Sequence, residues 1–147
     1  MRRNHGFTIT EILVVISIIG VIALIATPSL INYQKKSKLK SEARILATSL
    51  RLAQQFAITE QNIYAVALSL PDGSYDIINL ATSEVVKSIM LDPEVDIATT
   101  TDLTNNIIQF NPTGAVLEAG TISLVNTKHE TSTLEIKPSG FVDISEQ

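Results

Sequence analysis

The chain has no Cys and no Trp, only two His, and aromatic residues make up 5% of its 147 positions. Without Cys there is no disulfide, no thiolate metal site and no cysteine nucleophile. His5 stands in the N-terminal basic stretch and His129 stands alone beside Glu130. With no Ser-His-Asp order and no paired His, nucleophilic or metal catalysis has nothing to build on, so neither an enzyme nor a cofactor is expected. Tyr33, Tyr64 and Tyr75 are too few and too scattered to stack bases. Positive charge is scarce in one part of the chain only. Residues 59–147 hold Lys87, Lys128 and Lys137 against thirteen Asp and Glu, a net −10, whereas residues 1–58 carry +6, and the whole chain carries −4. A basic stem suits a phospholipid surface, and an acidic head repels a polyanion.

A chain of 147 residues has room for one modest globular domain. Part of it is taken by an apolar stretch: Ile12 to Gln34 holds no charge, and Ile12 to Ala26 is apolar apart from Ser17 and Gly20. That length crosses a bilayer as a helix. A secretory signal peptide fits poorly, because the core is too long, Glu11 interrupts its start, and helix continues past Thr27 where a small-residue cleavage site would fall. The positive-inside count alone puts the head in the cytoplasm, since Lys35, Lys36, Lys38, Lys40 and Arg44 outnumber Arg2 and Arg3. These lysines are expected near lipid phosphates. Beyond the span, Leu39, Ala43, Leu46, Leu50, Ala53 and Ala57 recur at helical spacing, and Ile45, Leu52 and Phe56 widen the stripe. With Pro28 as the only breaker between Phe7 and Ile58, the pattern predicts one helix of about 50 residues with a bend at Pro28.

After Gln61 the pattern turns to β. Ile63 to Leu70 and Tyr75 to Leu80 flank the turn Pro71-Asp72-Gly73-Ser74, which predicts a hairpin. Further strands are predicted at Glu84 to Met90, Ile107 to Phe110, Thr121 to Val125, Thr133 to Ile136 and Phe141 to Ile144. Asn111-Pro112-Thr113-Gly114 and Lys137-Pro138-Ser139-Gly140 read as turns, and Thr99 to Asn106 as a loop. The fold class is α+β: a long N-terminal helix, transmembrane in its first half and amphipathic in its second, packed on a C-terminal antiparallel sheet or sandwich. Asp92, Glu94 and Asp96 bring oxygen ligands close together but lack the Gly and terminal Glu of a calcium loop, so they read as a solvated acidic loop.

Glu11 invites a function by itself, since a carboxylate at the edge of a hydrocarbon core is costly unless paired. The run Gly6-Phe7-Thr8-Ile9-Thr10-Glu11, followed at once by the apolar span, resembles the type IV prepilin signature. The resemblance implies cleavage by a prepilin peptidase after Gly6, methylation of the new N-terminal Phe7, and a role for Glu11 in docking subunits; it also puts Pro28 where pilin helices bend. It sets aside the positive-inside count and implies an inner-membrane protein with its head in the periplasm. The implied organisation is a leader over 1–6, a transmembrane and assembly helix over 7–31, an amphipathic helix over 32–58 and a β-rich head over 59–147. Ile108 to Gly114, Gly120 to Leu124 and Leu134 to Ile144 are similar to the closing strands of GspH/FimT-like minor pseudopilins. That likeness implies a minor subunit of a type II secretion pseudopilus or a related type IV pilus, at or near the fibre tip. Its partners would be other pilins, the peptidase, an inner-membrane assembly platform and membrane lipid. The alternative is a FimT-like minor pilin that captures DNA; with three Lys in an acidic head, nucleic acid is not expected as a partner.

Overall fold

The computed structural model of the chain describes residues 8–146, with the side chains at 25–29 and 146 outside the described set. It divides into two compact units, Met1–Gln34 and Lys35–Gln147. One helix, α1 (Ile9–Glu60), contributes to both. It runs 52 residues and is not ended at Pro28, whose side chain is among those not described. It stops where Gln61 turns to φ 53°, a left-handed residue that a helix cannot continue through, and where Gln61 Nε2 takes up the Ile58 carbonyl at 2.7 Å.

Eight strands follow: β1 (Tyr64–Ser69), β2 (Ser74–Asn79), β3 (Glu84–Met90), β4 (Val95–Thr101), β5 (Ile107–Phe110), β6 (Gly120–Asn126), β7 (Thr131–Ile136) and β8 (Val142–Glu146). They form two four-stranded antiparallel sheets, ordered β3-β2-β1-β5 and β4-β6-β7-β8. The expected hairpin is β1–β2, closing with Ser69 opposite Ser74. The strand β4 departs from expectation as a whole: no strand is predicted over Val95–Thr101, where Asp96 reads as part of an acidic loop and Thr99 to Thr101 as part of another. Val95 and Ile97 are buried while Asp96 and Ala98 face water, and the threonines that suggested a loop are β-branched and extend that strand. The irregular segment begins only at Asp102, where Asp102, Asn105 and Asn106 all have positive φ.

The stripe of α1 reads as expected at six positions: Leu39, Ala43, Leu46, Leu50, Ala53 and Ala57 are each at most 4% exposed. They join one core with Val66, Tyr75, Ile77, Ile108 and Phe110 of the first sheet and Ile122, Leu124, Leu134 and Ile136 of the second. Ala at four of these places, counting Ala47, lets strands approach the helix closely. Leu52 and Phe56 flank the core, but Ile45 does not widen the stripe; it is 43% exposed on the side of the helix. Tyr75 carries its hydroxyl into the core and meets Ser49 Oγ at 3.1 Å, so the buried polar tip is paired.

Because this core lies wholly within Lys35–Gln147, a protein lacking residues 1–33 is expected to be a soluble, folded monomer. Circular dichroism and gel filtration check it; an unfolded or insoluble product contradicts the division.

Candidate functional site

Two features stand out along α1: an N-terminal turn that closes on Glu11, and a clip that fastens the helix to the head. At the first, Thr8 and Glu11 form a reciprocal cap. The Thr8 amide and hydroxyl both donate to Glu11 Oε2 at 2.9 Å, and the Glu11 amide returns to Thr8 Oγ1 at 3.3 Å. Thr-x-x-Glu is the capping-box spacing, with Thr8 as the N-cap and Glu11 three residues on. The carboxylate satisfies donors that a helix start leaves open and lies at the positive end of the helix dipole. The spacing Thr8-Ile9-Thr10-Glu11 carries this partner in the sequence itself. Gly6 and Phe7 themselves lie outside the described residues.

All described residues from Thr8 to Leu24 are exposed, among them Leu13 at 60%, Ile16 at 60% and Ile22 at 61%. A helix apolar all round demands a lipid or protein environment, because water is unfavourable on every face. Ser17 hides its hydroxyl on the Leu13 carbonyl at 2.8 Å, as suits such surroundings. Among the described residues no helix is long and apolar enough to cross a membrane; the described side chains stop at Leu24 and resume at Leu30.

The clip involves residues expected elsewhere. Lys38 Nζ lies 3.2 Å from both Asp92 and Glu94, and Lys35 Nζ donates to Thr127 Oγ1 at 2.9 Å. Two of the four lysines expected at lipid phosphates therefore hold the head instead. Asp92 and Glu94 are not a free acidic loop, since Lys38 neutralises them and the Glu94 amide donates to Asp92 Oδ1 at 3.0 Å; Asp96 belongs to β4. Among the described residues no three His, Cys, Asp or Glu gather as metal ligands. Farther along α1, Gln54 Nε2 donates to the carbonyls of Gly114 at 2.7 Å and Ser139 at 3.3 Å. One helical side chain thus ties down both turns that punctuate the closing strands. A side chain on Gly140, whose φ is 81°, would run into Gln54 and the Gly114 carbonyl. Periodicity had no signal for Gln54, because its partners are backbone atoms far along the chain.

The clip has a pH signature. The Glu94 amide, helped by Lys38, holds the Asp92 carboxyl below its usual 3.8, while burial pushes Glu42 above its usual 4.5. The Asp92 contribution is complete above pH 3.8 and is lost as pH falls through its lowered folded value. Glu42 works the other way: its ionised form costs stability above pH 4.5 and the cost is relieved on acidification. Asp92→Asn is therefore expected to lower stability at pH 7 and flatten its loss toward pH 3, and Glu42→Gln to raise stability at pH 7 only. Urea midpoints at the two pH values check both.

Comparison with known proteins fits this geometry. Residues 1–27 match the prokaryotic N-terminal methylation motif, and residues 42–140 match the family model of the type II transport protein GspH. The chain belongs to the GspH family. The GspH match takes in the amphipathic helix from Glu42 onward, Gln54 and both turns it holds. The solved minor pseudopilin EpsH of the Vibrio cholerae type 2 secretion system superposes with a TM-score of 0.62 at 14% identity, covering 74% of this chain and 97% of that one. The type IV minor pilin FimU of Pseudomonas aeruginosa superposes with a TM-score of 0.61 at 13% identity, covering 77% and 92%. These likenesses show the shared fold, a helix on antiparallel sheets. The type IV major pilin PilA of Myxococcus xanthus is 41% identical over 63 residues, 43% of this chain and 28% of its own length. The type II secretion system core protein G of Dickeya chrysanthemi is 38% identical over 72 residues, 44% of this chain and 47% of its own. The match thus spans half or less of the length of these relatives.

Proposed function

We propose that this GspH-family chain is a minor pseudopilin, a non-enzymatic structural subunit of a type II secretion pseudopilus or a related type IV pilus, placed at or near the tip. It is made as a prepilin, cut by a prepilin peptidase between Gly6 and Phe7, and methylated on Phe7. Before assembly residues 7–31 hold it in the inner membrane with its head, residues 59–147, in the periplasm; residues 32–58 join the two, and Pro28 accommodates the bend of the stem. An assembly platform at the inner membrane then passes it into the fibre. The observation that carries this reading is an exposed apolar stretch of helix, Thr8 to Leu24, within a matched methylation motif, on a chain whose described core is formed without it. Such a helix has to be covered by lipid first and by neighbouring stems afterwards. Capture of DNA is disfavoured, since Lys87, Lys128 and Lys137 are the only cations beyond α1. Immunodetection in sheared fibres tests the reading: the chain co-purifies with the fibre subunits, and its confinement to the membrane fraction of fibre-bearing cells contradicts it.

A further inference from the structure

Each sheet has two edges, and they are not equally protected. The β5 edge is covered by the chain itself, with Leu117 donating to the Gln109 carbonyl at 3.0 Å and Val116 bridging to Phe110. The β4 edge is bulged between Ile97 and Thr99 and exposes small and polar side chains. The β3 edge is different. Among the described residues β3 pairs only with β2, six of its seven residues are exposed, and Val85, Val86 and Met90 are 51%, 43% and 77% exposed. Lys87 lies opposite Ile77 and so shares its inward face, but it sits beyond the flank of α1. There it lines a groove of about 250 Å³ with Arg44, Ile45 and Thr48. Neither Arg44 nor Lys87 has an ion-pair partner among the described residues. An apolar strand edge beside two unpaired cations is a template for an extended, acidic segment.

The other open edge supplies such a segment. Among the described residues strand β8 pairs with β7 alone and without register shift. It presents Asp143, whose side chain is 60% exposed and only weakly held by Lys137 at 3.8 Å, and it follows Phe141, which is 55% exposed. An aromatic anchor and a carboxylate on one edge match the apolar residues and cations on the other. We propose that the β3 edge and its groove receive the β8 edge of a second copy of this chain, joining the two heads into one continued sheet. The contact is heterologous, since β3 of one copy meets β8 of the other, so a pair of copies is not two-fold symmetric and leaves one β3 edge and one β8 edge open. It rests on the fibre-subunit reading for its setting.

The absence of Cys makes the test direct, because Ser88→Cys on β3 and Ser145→Cys on β8 each introduce a unique thiol. Full-length proteins carrying one or the other, purified in detergent and shown by circular dichroism to be folded, are mixed and oxidised. The mixed disulfide dimer is expected to exceed the self-dimer of either variant by about tenfold, and Lys87→Glu on the β3 side to reduce it by about tenfold. Asp143→Lys on the β8 side should then restore it. Mixed dimer no more abundant than that of Ser88→Cys with Leu117→Cys overturns the proposal. So does a dominant disulfide self-dimer of the Ser88→Cys variant, which would mark a two-fold contact, or indifference to the charge exchange. The crosslink is read on purified protein, so its failure leaves incorporation into fibres as a separate question.

Discussion

Leu50→Asp is expected to destabilise the soluble head by about 4 kcal/mol or more, a large fraction of the roughly 5–15 kcal/mol that holds a domain of this kind. Leu50 is 0% exposed and lies in the core shared by α1 and both sheets. The replacement removes apolar contacts and leaves a carboxylate with no cation to pair. Ile45→Asp is the matched control. It stands five residues earlier on the same helix and has similar helix propensity, but it is 43% exposed, so its cost stays below about 1 kcal/mol. Urea unfolding of both variants reads the difference. Equal losses would mean that the helix does not present the face described here.

Glu11→Ala is expected to lower incorporation into fibres by about tenfold while leaving head stability and cleavage at Gly6 unchanged. The expectation rests on the proposed processing: an ammonium on Phe7 would pair with the carboxylate of an adjacent stem and so fix one register between neighbours in a low-dielectric setting. The Thr8 cap complicates the inference, because Ala also removes the reciprocal bonds at the helix start. Glu11→Gln separates the two roles. Gln serves in a capping box but carries no charge, so a docking role predicts that Gln fails like Ala, and a capping role predicts that Gln performs like wild type. Co-purification of each variant with partner pilins reads the contact pair by pair. Wild-type recovery of Glu11→Ala would leave Glu11 as a cap alone.

Local rules carried much of this fold. The four-three recurrence from Leu39 to Ala57 placed the buried face of α1, and the turns at Asn111–Gly114 and Lys137–Gly140 bounded strands that the structure contains. Local rules misjudged places where partners are distant. Ile45 has the right chemistry for the stripe but faces the groove beside β3, a position set by where the first sheet ends. Lys38 reads as a lipid-facing lysine until the β3–β4 connection brings Asp92 and Glu94 to it. The outward-facing Asp96 and the threonines, a residue type that serves both loops and strands, hid the whole of β4. The Glu11 cap is the opposite case: its partner Thr8 is local, and the Thr-x-x-Glu spacing specifies it without any distant contact.

The central claim is that this chain leaves its leader behind and enters a fibre. Intact mass spectrometry of the chain recovered from sheared fibres tests both halves at once. The account predicts a protein that begins at Phe7 and carries one added methyl group on its amine. A chain that still begins at Met1, or that is missing from fibres of cells that make it, would contradict the account.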